Sequence, residues 1–155
     1  MGRLYTAVFQ AVAVTAAQDL ISLLTTAASP VRVHYFSCGQ SSDFGDAQDE
    51  LLRIRIQRGM TTVGSGGTVP AVNPIDAANT MAAATVARAN DTTAASAGTI
   101  TQIWEECFNV RAGYIFMPTP EMRPTIAVST RLAFNLVAAP ADSLTMSGTI
   151  VFEEY

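Results

Sequence analysis

The residues able to do chemistry in this chain are few and widely separated. His34 is the single histidine, and its nearest nucleophile in sequence is Cys38. In a strand the two share a face, but four residues span roughly 13 Å. A thiol–imidazole hydrogen bond needs about 3 Å, so a Cys–His pair would have to come through Cys107 and the fold. The second cluster is acidic: Asp43, Asp46, Asp49 and Glu50 in a Gly-containing loop. Its spacing of three differs from the alternate-residue spacing of an EF-hand loop. Asp side chains in such loops also stabilise turns by accepting backbone N–H groups. The readings left open are a solvated loop, an arginine-binding surface with Arg53 and Arg55 as partners, and a calcium site.

Gly64-Ser65-Gly66-Gly67 lacks the following Lys and the strand–loop–helix context of a phosphate loop. Glu105 and Glu106 are adjacent, so in a strand they point to opposite faces and cannot act as a glycosidase pair. Trp104 has the type of a sugar-stacking platform, but Ile103 and Phe108 around it favour a core position. Cys38 and Cys107 have no CxxC spacing and no clustered His, which argues against zinc. Both fall in expected strands and are read as free thiols, although a disulfide depends on how closely the fold brings them.

The elements that position these residues are strands. Leu144, Met146, Gly148, Ile150 and Phe152 alternate with Thr145, Ser147, Thr149, Val151 and Glu153. A period of two, apolar on one face, marks a half-buried antiparallel strand. Similar patterns predict strands at Leu4–Thr15, Gln18–Thr25, Val31–Cys38, Leu51–Arg58, Thr85–Ala89, Ile100–Val110, Tyr114–Met117, Thr125–Ser129 and Arg131–Val137. Gly39–Glu50 and Pro118–Pro124 read as loops, Asn90–Thr99 as another, and Arg111-Ala112-Gly113 as a hairpin turn. The longest irregular stretch is 59–84. Ala and Met admit a short helix at Ile75–Ala84 within it. Short strands with regularly spaced turns predict an all-β fold: one antiparallel β-sandwich of jelly-roll type spanning 1–155, with 59–84 as a long loop insertion.

Composition narrows the function. Only 14% of residues are charged, well below the usual quarter. A neutral surface of this kind suits lasting contact with partners. The net charge of −4 lacks the basic footprint that nucleic acid requires. All nine basic residues are Arg, a bias that either interface pairing or a GC-rich genome produces. Met1-Gly2-Arg3 and the apolar residues after it superficially resemble a signal peptide, but Gln10 interrupts the run. The loose myristoylation pattern at Gly2 is discounted, and the sequon Asn90-Asp91-Thr92 marks a polar loop. No apolar stretch is long enough to span a bilayer.

Tyr5-Thr6-Ala7, Val12-Ala13-Val14-Thr15-Ala16-Ala17-Gln18-Asp19-Leu20, Gly39-Gln40-Ser41-Ser42-Asp43 and Ala138-Ala139-Pro140-Ala141-Asp142-Ser143-Leu144-Thr145-Met146-Ser147-Gly148-Thr149 resemble small virion proteins encoded beside the capsid genes of tailed bacteriophages. The resemblance is discontinuous and touches both ends of the chain. It implies a jelly-roll capsid cement or decoration protein on the outer surface of an HK97-type head. Such a protein is non-enzymatic, needs no cofactor or metal, and has the major capsid protein and copies of itself, as a homodimer or homotrimer, for partners. Neither nucleic acid nor membrane is expected as a partner. The expected interface is Asp43, Asp46, Arg53 and Arg55, with Thr61, Val63, Val69 and Val72 of the long loop. That loop and the N-terminal segment are expected to reach across to a neighbour, so that deleting Thr61–Val72 abolishes capsid binding and spares the fold. The alternative is a carbohydrate-binding jelly-roll module of a tail or receptor-binding complex, favoured by exposure of Tyr35, Trp104 or Tyr114. A cupin-type enzyme needs a His/Glu metal cluster, which one histidine does not supply.

Overall fold

A computed structural model of the chain describes residues 2–41 and 49–155. The protein is all-β and folds as two antiparallel sheets packed as a β-sandwich. Eleven strands are described: β1 (Arg3–Val14), β2 (Gln18–Leu24), β3 (Val31–Gln40), β4 (Leu51–Thr62), β5 (Val72–Pro74), β6 (Val86–Asp91), β7 (Ser96–Asn109), β8 (Tyr114–Phe116), β9 (Thr125–Ile126), β10 (Arg131–Leu136) and β11 (Leu144–Glu154). One 3₁₀ turn, Pro120–Met122, is the only helical element among the described residues.

The first sheet runs β5-β1-β11-β3-β8, with β9 also paired to β3. The second runs β6-β2-β10-β4-β7. The pairings nest: β1 with β11, β2 with β10, β3 with β8 and β4 with β7, all antiparallel. The chain is therefore a long ribbon doubled back on itself, with successive strand pairs alternating between the sheets.

The tail carries the clearest local signal. Along β11 the residues alternate between buried and half-buried without a break, with Leu144, Met146, Gly148, Ile150 and Phe152 inside. Gly148 is required at its inward position because a Cβ there would run into the ring of Phe9 on β1. Between the sheets Phe36 of β3 stacks on Phe134 of β10, ring centroids 4.2 Å apart. Phe116 of β8 meets the same Phe134 edge-on at 5.6 Å. These rings join the two inner faces of the sandwich.

The insertion is more ordered than its composition suggests. β4 continues through Gly59 to Thr62, so the irregular stretch begins later than residue 59. Gly59 permits this with a φ of 92° at a register shift against β7. Val72–Pro74 then pairs with β1, which lies inside the first sheet between β5 and β11. The N-terminal segment is thus an interior strand rather than a reaching arm. No helix forms at 75–84. Asp76 Oδ1 accepts Ala78 N at 2.9 Å and Asn79 Oδ1 accepts Met81 N at 3.1 Å. Such short polar side chains compete with helix for the backbone donors, and this outweighs the weak preference of Ala. β6 and β7 also extend into 90–99 from both ends, and the strand expected at Thr125–Ser129 shortens to β9.

β6 and β7 occupy opposite edges of the second sheet, so the chain between them crosses its outer face. Ser65 pairs with Thr93 beside this crossing, and Ala95 packs on Met60 and Ala133. That cover explains why β2 and β10 are buried almost throughout, on both faces.

Candidate functional site

The second sheet ends in β7, fourteen residues long and paired on one side only, to β4. From Ser96 to Gln102 every residue is exposed. The cause lies across the sandwich. Its counterpart at the edge of the first sheet, β8, is only three residues long and covers only the C-terminal half of β7. There Trp104 meets Phe116 edge-on at 5.5 Å, and Phe108 packs on Tyr114 at 5.5 Å. Towards the N-terminal half the sandwich stays open. A cavity of about 410 Å³ there is lined by Arg58, Thr99, Thr101, Thr125, Ala127 and Thr130.

Beside this edge lies an apolar groove. Two adjoining cavities of about 280 Å³ share Trp104, Phe116 and Met122. Ile56, Ile103 and Pro124 add apolar surface to one and Ile115, Met117 and Pro118 to the other, with Arg58 in the first and Glu106 and Thr119 in the second as their polar lining. On the rim Ile115, Met117 and Met122 are 66%, 75% and 52% exposed. An unpaired strand edge with neither Pro nor Lys is a template for another chain. Apolar side chains alongside give such pairing its specificity. The arrangement can bind an extended segment, adding a strand to β7 and seating side chains against Trp104 and Met122.

Several polar residues of the region are engaged with one another. Glu105 lies 3.6 Å from Arg53 and accepts Gln102 Nε2 at 2.8 Å. Glu106 accepts the Tyr114 hydroxyl at 2.9 Å. The adjacent carboxylates thus take different partners. Burial, then the Glu106 carboxylate, push the Tyr114 phenol up, so it remains a donor.

The described members of the expected interface do not converge. Asp43 and Asp46 lie outside the described residues. Arg55 donates its Nε to Asn135 Oδ1 at 2.9 Å, within the second sheet. The acid of that cluster with a described ion pair is Asp49, 3.2 Å from Arg111. Thr61 lies in β4 next to its final residue, Thr62, while Val63 and Val69 are 46% and 62% exposed. Val72 sits in β5 opposite Ala7 and packs against the core. These positions fall on different sheets and edges. Deleting Thr61–Val72 would therefore remove the end of β4 and the start of β5, and cannot spare the fold.

Ile115 and Met117 fall in a strand the sequence does predict, but a short run apolar at every position does not reveal which of its residues stay exposed, and Met122 in a loop carries no periodic signal. The alternation of β7 gives the one hint, since a strand so long needs a long partner.

Of the remaining reactive groups one is paired, one is shielded and one is open. His34 Nε2 lies 3.0 Å from Glu153 Oε2. Cys38 is buried, which pushes its thiol up to about 12 and keeps it un-ionised at neutral pH. Cys107 is exposed on β7, and both cysteines are free thiols. Among the described residues no group of three His, Cys, Asp or Glu is placed to hold a metal ion. No described helix is long and apolar enough to cross a membrane. Comparison with known families, curated proteins and solved structures returns no match to this chain.

Proposed function

We propose that this protein is a non-enzymatic virion structural protein, a cement protein that binds the outside of an HK97-type phage head and holds neighbouring capsomers together. The observation that carries the reading is the β7 edge with the Trp104–Phe116 groove beside it, a surface for another protein chain. The nested strand pairing supports reading the sandwich as a jelly roll of eight strands, with β5, β6 and β9 added at its margins. That topology agrees with the fold implied by the phage resemblance. A charged fraction of 14% fits a surface kept in permanent contact. The partners are the major capsid protein and further copies of the chain, as a dimer or trimer. Affinity then comes from many equivalent sites on a lattice rather than from one strong contact.

The test is co-sedimentation of purified protein with capsids that lack it, followed by heat or chaotrope challenge of the decorated shells. Saturable binding that strengthens the shells supports the cement role. A folded protein that neither binds nor stabilises shells overturns it.

One feature favours the second reading, a carbohydrate-binding module. A shallow groove of about 400 Å³ on the first sheet presents Tyr35 with Ser37, Gln40, Ser147 and Thr149. Tyr114 is buried, and Trp104 is half-buried against Phe116, so neither is a free stacking platform. Glycan-array binding lost in Tyr35→Ala would support this reading in place of the first.

A further inference from the structure

Under the chain that crosses the second sheet lie buried Arg131, Asp19 and Asp91, with Arg55 and Arg88 partly buried beside them, and these charges do not balance. Three arginines, Arg55, Arg88 and Arg131, share this face with two acids, Asp19 and Asp91. Both acids are engaged. Asp91 takes Arg88 through Nε at 2.8 Å and Nη2 at 2.6 Å, and also accepts Gly67 N at 3.1 Å. Asp19 accepts Asn135 Nδ2 at 2.8 Å and Ala95 N at 2.7 Å. Asn135 in turn takes Arg55.

Arg131 is left over. It is 6% exposed, and its Nε and Nη1 are buried without a hydrogen-bond partner. Its β2 neighbour across the sheet is Leu24 and its β4 neighbour is Met60, neither of which accepts a hydrogen bond. Ser22, two residues before Leu24 and hence on the same face, also has a buried hydroxyl without a partner. The groups acting electrostatically on Arg131 are Arg88, Asp91 and Asp19. Burying one partner-less guanidinium is strongly unfavourable, because a charge and its donors lose water together.

We propose that this face binds a small monovalent anion, a halide, held by Arg131 Nε and Nη1 with the Ser22 hydroxyl. The anion neutralises the third arginine and supplies the acceptor that the two aspartates cannot. A divalent oxoanion fits less well, since it would leave the face negatively charged. The site lies on the outer face of the second sheet, beneath the crossing segment, and does not depend on capsid binding.

The experiment is thermal unfolding of the intact chain in sodium chloride against sodium gluconate, at fixed pH and ionic strength. Gluconate, a bulky carboxylate, is the comparison anion. Chloride at about a hundredfold over its dissociation constant raises Tm by roughly 5 °C or more in the wild type, and the rise saturates. Arg131→Met keeps the length of the side chain and abolishes the chloride response. Ser22→Ala retains the response and shifts its midpoint to higher chloride. Equal Tm in the two salts overturns the proposal, as does an unchanged chloride response in Arg131→Met. Should Arg131→Met fail to fold, wild-type crystals grown in bromide decide the matter. An anomalous peak within hydrogen-bond reach of the Arg131 guanidinium upholds the site, and density there without anomalous signal means water only and refutes it.

Discussion

Trp104 of β7 meets Phe116 of β8 edge-on, planes 77° apart, where the edges of the two sheets approach. The contact closes the lower half of the sandwich and leaves the upper half of β7 open. It also forms the common wall of both groove cavities. One aromatic pair thus ends the core and begins the candidate interface.

The groove makes the first prediction. Ile115→Lys combined with Met117→Lys places charge on an exposed rim. Surface changes of this kind alter stability by about 0.5 kcal/mol or less each. Capsid binding in the sedimentation assay is expected to fall tenfold or more, with an unchanged denaturation midpoint. Full occupancy by the double variant would place the interface elsewhere.

The inter-sheet stack makes the second. Phe134 is fully buried and contacts both Phe36 and Phe116. Phe134→Ala is expected to cost about 3–5 kcal/mol, as large core truncations do. Urea unfolding of the variant checks this, and a loss below 1 kcal/mol would contradict the packing described.

Thiol labelling gives a third. Cys107 is exposed and Cys38 is buried. A disulfide-exchange reagent at neutral pH should therefore modify one thiol per native chain and both after denaturation. Two rapid equivalents from the native protein would show that β3 opens readily, and none would point to a bridge or a covered β7.

Asp19 yields a prediction in pH. Burial raises its pKa above the ordinary 3.8, against the hydrogen bonds from Ala95 N and Asn135 that lower it. A raised folded-state pKa means that the folded state binds the proton more tightly than the unfolded chain. The resulting stability is full below about pH 3.8 and is lost as pH rises through the folded value. The stability difference between wild type and Asp19→Ala should therefore shrink from acid towards neutral pH and then level off. A difference that grows with pH would mean that hydrogen bonding outweighs burial.

Local pattern carried much of the fold. The alternation in β11 and β4 appears in the structure with inward and outward residues as expected, because a period of two is written in neighbouring residues. Turn chemistry did the same for Arg111–Gly113, where Gly113 takes a φ of 73° against the backbone of β3. The insertion was misread for the converse reason. Val72–Pro74 becomes a strand only because β1 offers an edge, and nothing in the three residues announces that.

By itself, then, the sequence determined an all-β chain, one apolar face on each clear strand and few charges. Those features follow from side-chain type and spacing within a few residues. Tertiary structure alone decided that β1 pairs with β11 from the far end of the chain, and that β8 is too short to cover β7. It alone placed Arg131 beneath a crossing segment with its donors unpartnered. Burial, edge exposure and charge balance are properties of which distant strands become neighbours, and no local period encodes them.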